Sequence, residues 1–536
     1  MRQAFSNIFL VILIALLIAS CANRGRPSGG IKDIIPPKIT KSEPENYSTN
    51  FTGNEIKIYF DEYIKINNVS KQLIISPPMD PAPDIIPLSS ASKYIKIKIK
   101  DTLAPNTTYA FNFGNSIVDN NEENPYPFYK YVFSTGNYID SLSIKGIIVD
   151  ATLRKPEDFV SVMLYEADST FTDSIIFKKK PKYVTNTLDS TTTFSLENLK
   201  AGKYKLIALK DNNQDYKFQP HTDKIAFHEG FIDVPVDTTT TFLLKLFSED
   251  LEPKITRPRL ISGEKIVFPF EGDHKNFQIA ITETVPENFE YRVTKDAKTD
   301  SLYYWYKPRL ELDSLQFQVT NKNYNKNFNV KLSEQKRDTM IVKVEPNGLL
   351  DFNEDFKITN TVPFTRFKKK NVTILDKDSV AVDFRVKLDS LSNTYTLKFD
   401  KKESETYRIQ MLPEALTDFF DNKNDTLNYQ LTTKTYSDYG DIRVVLKNAT
   451  YPVITQITDD KGDVIAEQYS SKAEPIDFRH FKPGIFYLRV IFDTNKNKKY
   501  DTGNYLKNQQ PERVSYYKDK LEIRSNFDQI YEFTLF

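Results

Sequence analysis

The sequence predicts an all-β chain built as a series of β-sandwich domains, on three observations. The composition holds 31 Tyr and 38 Phe beside abundant Ile, Val and Thr, the residue types that fit a pleated, half-buried surface. Several segments alternate strictly between apolar and polar residues, as in Tyr94-Ile95-Lys96-Ile97-Lys98-Ile99-Lys100. Period two of this kind marks an antiparallel strand with one face in a core and one in water. Finally, 536 residues are too many for a single core, and at roughly 100–150 residues per domain they divide into four or five units.

Composition also excludes function classes. Lys and Arg number 73 against 72 Asp and Glu, a formal net charge of +1, so the basic excess of a nucleic-acid binder is missing. A single cysteine rules out an internal disulfide and any cysteine-based zinc site. Of the four histidines, only His221 and His228 lie close in sequence, which argues against a histidine-rich metal site.

The chain opens with a short segment carrying Arg2, then an apolar run from Ile8 to Ala19 that is too short to span a bilayer and fits a signal peptide over residues 1–20. Ile18-Ala19-Ser20-Cys21 resembles the bacterial lipobox. That resemblance implies cleavage before Cys21, lipid on its thiol, and a lipidated tether over residues 21–35. Several acyl chains together anchor stably where one binds marginally. Ala22 is not the aspartate that resembles an inner-membrane retention signal, so the expected location is the cell outer membrane. The tether is basic until Asp33, and either the periplasmic or the surface face is open at this point.

Pro36-Pro37 marks the edge of the first folded unit, residues 36–137. Glu55-Ile56-Lys57-Ile58-Tyr59-Phe60 alternates as a strand. Phe60-Asp61-Glu62, Leu103-Ala104-Pro105-Asn106-Thr107-Thr108-Tyr109, Asp119-Asn120 and Phe133-Ser134-Thr135-Gly136 follow in order. This order resembles the bacterial Ig-like domain of SbsA type. With Gly29-Gly30 and Pro36-Pro37, the chain is similar to Bacteroidota lipoproteins that carry this domain. The resemblance implies a fold and says little about function.

Residues 140–248 run from Leu142-Ser143-Ile144 to Ala201-Gly202-Lys203-Tyr204, a strand, and the loop Asp211-Asn212-Asn213-Gln214-Asp215. That order is similar to transthyretin-like sandwiches, also called carboxypeptidase-regulatory-like domains. Residues 440–536 repeat it: Gly484 precedes Asp493 by the same offset as Gly202 precedes Asp211. Residues 250–345 read as a further β-sandwich of uncertain family. Residues 346–439 echo the first unit, and are read as Ig-like, although Tyr429-Gln430-Leu431-Thr432-Thr433 lacks its glycine.

Candidate chemistry is sparse. Asp211, Asn213 and Asp215, and again Asp493, Asn495 and Asn497 with Asp501, place oxygen ligands at alternate positions, as calcium requires. The calcium-loop signature has glycine at its sixth position, where this chain has Tyr216 and Lys498. Asp and Asn also build plain solvated turns, so calcium, the one cofactor suggested, and a turn are both open. Tyr303, Tyr304, Trp305 and Tyr306 could stack on a ligand or fill a core. Lys178–Lys180 and Lys368–Lys370 could bind polyanions or guard solvated edges. Asp-Ser/Thr-apolar triplets begin at Asp101, Asp140, Asp173, Asp300, Asp313, Asp378, Asp389 and Asp425. They resemble an O-glycosylation acceptor of exported Bacteroidota proteins, and equally they suit turns. There is no Gly-x-Ser-x-Gly elbow, His-Glu-x-x-His motif or phosphate-binding glycine loop.

The expectation is a non-enzymatic, outer-membrane-anchored scaffold with a protein partner, as an accessory subunit of an outer-membrane barrel, assembly or secretion machine. The alternatives are a glycan-binding envelope lipoprotein and a hydrolase whose site is spatial rather than sequential.

Overall fold

The structure, a computed structural model, describes residues 33–88, 90–188 and 191–535. Cys21 and the segment read as a signal peptide lie outside the described residues. Among the described residues strands hold 47% and helix 3%, so the all-β class read from composition is the one observed. Two compact units form: one is built by the chain up to Leu142 with Tyr183–Leu188 and Glu197–Lys200, and the other by most of the remainder. No helix of the described residues is long and apolar enough to cross a membrane.

The first unit is a sandwich around the strand Glu55–Ile66, which pairs with Ile39–Glu43, Ser92–Lys98 and Ile117–Asp119. The facing sheet is Ile74–Ser76, Thr108–Asn112 and Lys130–Ser134. Alternation sets which face is inside. Ile56, Ile58, Ile95 and Ile97 are fully buried against Phe111, Tyr131 and Phe133, while the lysines between them stay outside. Each buried isoleucine contributes about 2 kcal/mol. The motif residues knot one corner. The Ala104 N–H donates to the Tyr109 hydroxyl at 2.9 Å, and the Thr135 hydroxyl donates to the Ala104 carbonyl at 2.7 Å. The Asp119 carboxylate accepts backbone N–H groups of Asn121, Glu122 and Asn124 at 2.7–2.8 Å. Burial alone would raise its pKa, but these donors hold it below the usual carboxylate range.

In the second unit no sheet mixes strands across four chain segments, which form the second to fifth domains in chain order. The fourth domain repeats the corner of the first. The Lys402 N–H donates to the Tyr407 hydroxyl at 2.7 Å, and the Thr433 hydroxyl donates to the Lys402 carbonyl. Contacts tie these domains in sequence: His221 to Glu271 at 2.8 Å, Lys307 to Asp421 at 3.1 Å, and the Asn353 amide donating to the Arg479 carbonyl at 2.6 Å. A further contact is not sequential. The fifth domain packs on the second, which serial order along a rod does not predict.

Candidate functional site

The second and fifth domains share one topology. In each, the first and last strands pair in parallel: Phe242–Leu246 on Leu142–Asp150, and Asp528–Thr534 on Gly440–Lys447. In each, one long strand, Gly202–Lys210 or Gly484–Phe492, is central to the other sheet. The glycine register also aligns left-handed backbone positions: Asn198 with His480, Gln214 with Lys496, and Tyr216 with Lys498. The last pair is the sixth loop position. Tyr216 and Lys498, at φ 58° and 65°, therefore adopt the conformation that glycine favours.

Both Asp/Asn loops use their first aspartate to hold that turn. Asp211 accepts the N–H of Gln214 and of Tyr216, each at 2.7 Å. Asp493 accepts those of Asn497 at 3.0 Å and Lys498 at 2.9 Å. Burial pushes the Asp211 carboxyl above the usual range, with the two N–H donors pulling the other way. Asp215 accepts from the Lys217 N–H and the Gln219 amide at 3.0 Å, and Asn213 donates to Gln219. In the second loop Asn495 and Asn497 both donate to Asp501, so these residues do converge. Among the described residues, no group of three or more His, Cys, Asp or Glu is placed to hold a metal ion. The turn-forming role is the one these contacts display.

The aromatic run does not offer a stacking face. Tyr304 and Tyr306 belong to the core of the third domain, and Trp305 is covered from the fourth domain by Val362 and Phe419. All three are buried, and the Trp305 indole donates to the Thr294 hydroxyl at 3.0 Å. Ligand stacking by these three is therefore corrected to packing. Tyr303 is half-buried, donates to Asp296 at 2.8 Å, and has the Lys265 ammonium 4.2 Å from its ring centre. The basic run at 368–370 is partly neutralised: Lys368 pairs with Glu414 and Lys369 with Asp383. Of the Asp-Ser/Thr hydroxyl residues, Ser301 is buried and Ser314 half-buried, and the other six are exposed.

The site that the fold does build lies where the two repeats meet. The loop between Phe492 and Val514 is longer than its counterpart between Lys210 and Lys224, and its hairpin reaches the second domain. Tyr505 is only 3% exposed, with its ring 5.3 Å from that of Phe227. The Thr502 hydroxyl donates to the Ser248 carbonyl at 2.6 Å, and the Gln510 amide to the Phe227 carbonyl at 3.0 Å. Gly503 is required by close approach, since a Cβ there would lie 2.6 Å from the Phe247 ring.

The same two domains also line a cleft of about 460 Å³. The second domain lines it with Thr152, Leu153, Arg154 and Lys155, and the fifth with residues 458–462, Tyr487, Arg489 and Tyr516. Arg489 is 8% exposed and sits in the central strand, where the glycine register places fully buried Ile207 in the other repeat. Its Nε donates to the Gln456 side chain at 2.6 Å and its Nη1 to the Thr152 carbonyl. Tyr516 stands opposite it across the strand pair. Burial pushes the Tyr516 hydroxyl up to about 12, with Arg489 pulling the other way. No carboxylate lies within ion-pairing distance of Arg489 among the described residues. Arg154 lies over the Tyr487 ring at 5.1 Å and donates to the Lys518 carbonyl at 2.6 Å. At the cleft wall, Gly462 has φ +90°, and a Cβ there would lie 3.0 Å from Leu153 Cδ2.

Residues 33–135 match the family model of the bacterial Ig-like domain. The match covers the first unit and none of the four domains that follow. Solved structures similar to it include surface-layer protein SbsC, domains 1–6, at 10% identity over 91% of this chain and 67% of that one, with a TM-score of 0.15. Tandem Ig repeats of Dlar match at 12% identity over 34% of this chain and 98% of that one, TM-score 0.13. The TIE protein of Bacillus anthracis matches at 11% identity over 95% and 76%, TM-score 0.13. No curated protein matches the chain.

Sequence reasoning missed the cleft. The signal available was the repeat register: an arginine inside an apolar run, at a position that is isoleucine in the other copy, marks a face that has changed its role.

Proposed function

We propose that the protein is a non-enzymatic lipoprotein, held on the outer membrane by lipid at Cys21, whose sandwiches form a scaffold for other proteins. The observation that carries this reading is the clasp between the second and fifth domains. Inter-domain contacts within one chain leave relative motion as the default unless they fix both sides. Here contacts from second to third, third to fourth and fourth to fifth domain return to the second, so the loops of four domains are held in fixed relation. A body of that kind suits an accessory subunit of an outer-membrane barrel, assembly or secretion machine better than a flexible tether does. The balanced charge supports a protein partner over a nucleic acid. The glycan-binding alternative, by Tyr303–Tyr306 or a sandwich edge, loses Tyr304, Trp305 and Tyr306 to burial.

The test is a crosslinked pull-down of the lipoprotein from its native outer membrane, with Cys21→Ala as control. A reproducible barrel protein, recovered with wild type and lost with the anchor, is the expected result. Recovery of the lipoprotein alone would remove stable membership of such a machine.

A further inference from the structure

We infer that the cleft between the second and fifth domains binds a small solute carrying an oxyanion, a carboxylate or a phosphate, with Arg489 as its central counter-charge. Four cationic side chains line the cleft, Arg154, Lys155, Lys461 and Arg489, against the carboxylates of Asp459 and Asp460. Asp459 is committed to its own turn, where it accepts the N–H groups of Lys461 and Asp463, each at 2.9 Å. The balance facing the cavity is therefore positive.

Arg489 makes the stronger case. A guanidinium withdrawn from water is costly unless a counter-charge compensates it. Its contacts are neutral ones, to Gln456 and to the Thr152 carbonyl, and they leave donors of its five N–H groups to face the cleft beside Tyr516. The rest of that strand shows that the site is not merely a hydrophilic surface. Leu488, Val490 and Phe492 point into the core, and the register position of Arg489 is filled by isoleucine in the other repeat. A guanidinium fork offers a planar anion two parallel hydrogen bonds, and carboxylate and phosphate share the geometry that accepts them. The cavity volume falls within the range that encloses a small ligand, and Tyr487 and Tyr516 supply flat apolar walls. Lys155 and Lys461 are exposed at the rim, where they would steer an anion inward rather than clamp it.

Isothermal titration of the full-length chain in detergent tests this with three probes: inorganic phosphate, glucuronate and neutral glucose. One or both anions should bind, more weakly as salt is raised, and glucose should not. Tighter phosphate binding would assign a phosphate ligand, and tighter glucuronate binding a carboxylate. Arg489→Gln should weaken the preferred anion by about tenfold or more. Because Arg489 also braces the domain junction, the double variant Lys155→Gln/Lys461→Gln, at exposed rim positions, keeps the test independent of folding. It should weaken binding several-fold and flatten the salt dependence. Absence of binding by both anions, equal binding of glucose, or affinity unchanged in the rim variant would overturn the inference.

Discussion

The second and fifth domains have the same strand order, the same parallel closure of first on last strand, and the same aspartate-held left-handed turn. They differ on the outer face of the central strand and in the loop that follows it. In the second domain that face carries Lys205 and Ile207, and in the fifth Tyr487 and Arg489. Both faces are turned toward the other repeat: the Lys205 ammonium lies 5.8 Å from the Tyr505 ring centre, and Tyr487 lies beneath Arg154. The difference teaches that a duplicated sandwich keeps what its own core and turns require. What it is free to vary is the face that a core does not use, and here that face has become an interface with a cleft in it.

The comparison can be broken hardest at the clasp. Tyr505→Ala removes a buried ring that has no counterpart in the shorter loop, and should cost about 3–5 kcal/mol of the stability of the joined domains, read by urea denaturation. A loss no greater than that of an exposed tyrosine would mean the hairpin does not join them. Gly503→Ala comes next. Its new Cβ meets the Phe247 ring and the Gln509 carbonyl, and overpacking of this kind costs about 1–3 kcal/mol. The same substitution at an open position such as Gly230, where no atom lies within 4 Å, lacks the steric part, leaving only the cost of its φ of +70°.

The two turn aspartates sharpen the comparison. Asp211→Asn and Asp493→Asn each replace one acceptor oxygen by an amide facing a backbone N–H, at about 1–2 kcal/mol apiece. Similar losses in thermal unfolding would confirm one shared turn, and a loss at only one would separate the copies. The smallest expected effect is a pH dependence at Asp211. Its folded-state pKa is raised by burial above the ordinary carboxylate value, so folding favours its neutral form. That contribution is present below the unfolded value and is lost as pH rises through the folded one. Wild type should therefore lose ground to Asp211→Asn in melting temperature as pH rises from about 4. A gap constant across that range would contradict the raised value.

Much of the fold is legible in the sequence because it is local. The Lys/Ile alternation over 94–100 specifies which face of a strand is buried, and the Leu103–Tyr109 segment carries its own corner chemistry. The aromatic run was only half legible. Alternation assigns Tyr304 and Tyr306 to a core, but Trp305 points the other way and is buried by Val362 and Phe419 of another domain. The clasp was not legible at all. Asn504-Tyr505-Leu506-Lys507-Asn508 reads as a polar loop, and Tyr505 is buried only by a surface far away in sequence. Arg489 becomes conspicuous only when the two repeats are laid on each other by their glycines.

The central claim is that the fifth domain is held on the second by the Tyr505 hairpin. The most direct measurement is the distance between spin labels at Ser174→Cys and Asn508→Cys, in a Cys21→Ser background that removes the chain's one native cysteine. A single short, narrow distance that becomes long and broad on adding Tyr505→Ala is the predicted result. A broad distribution already in the chain with Tyr505 intact would contradict it.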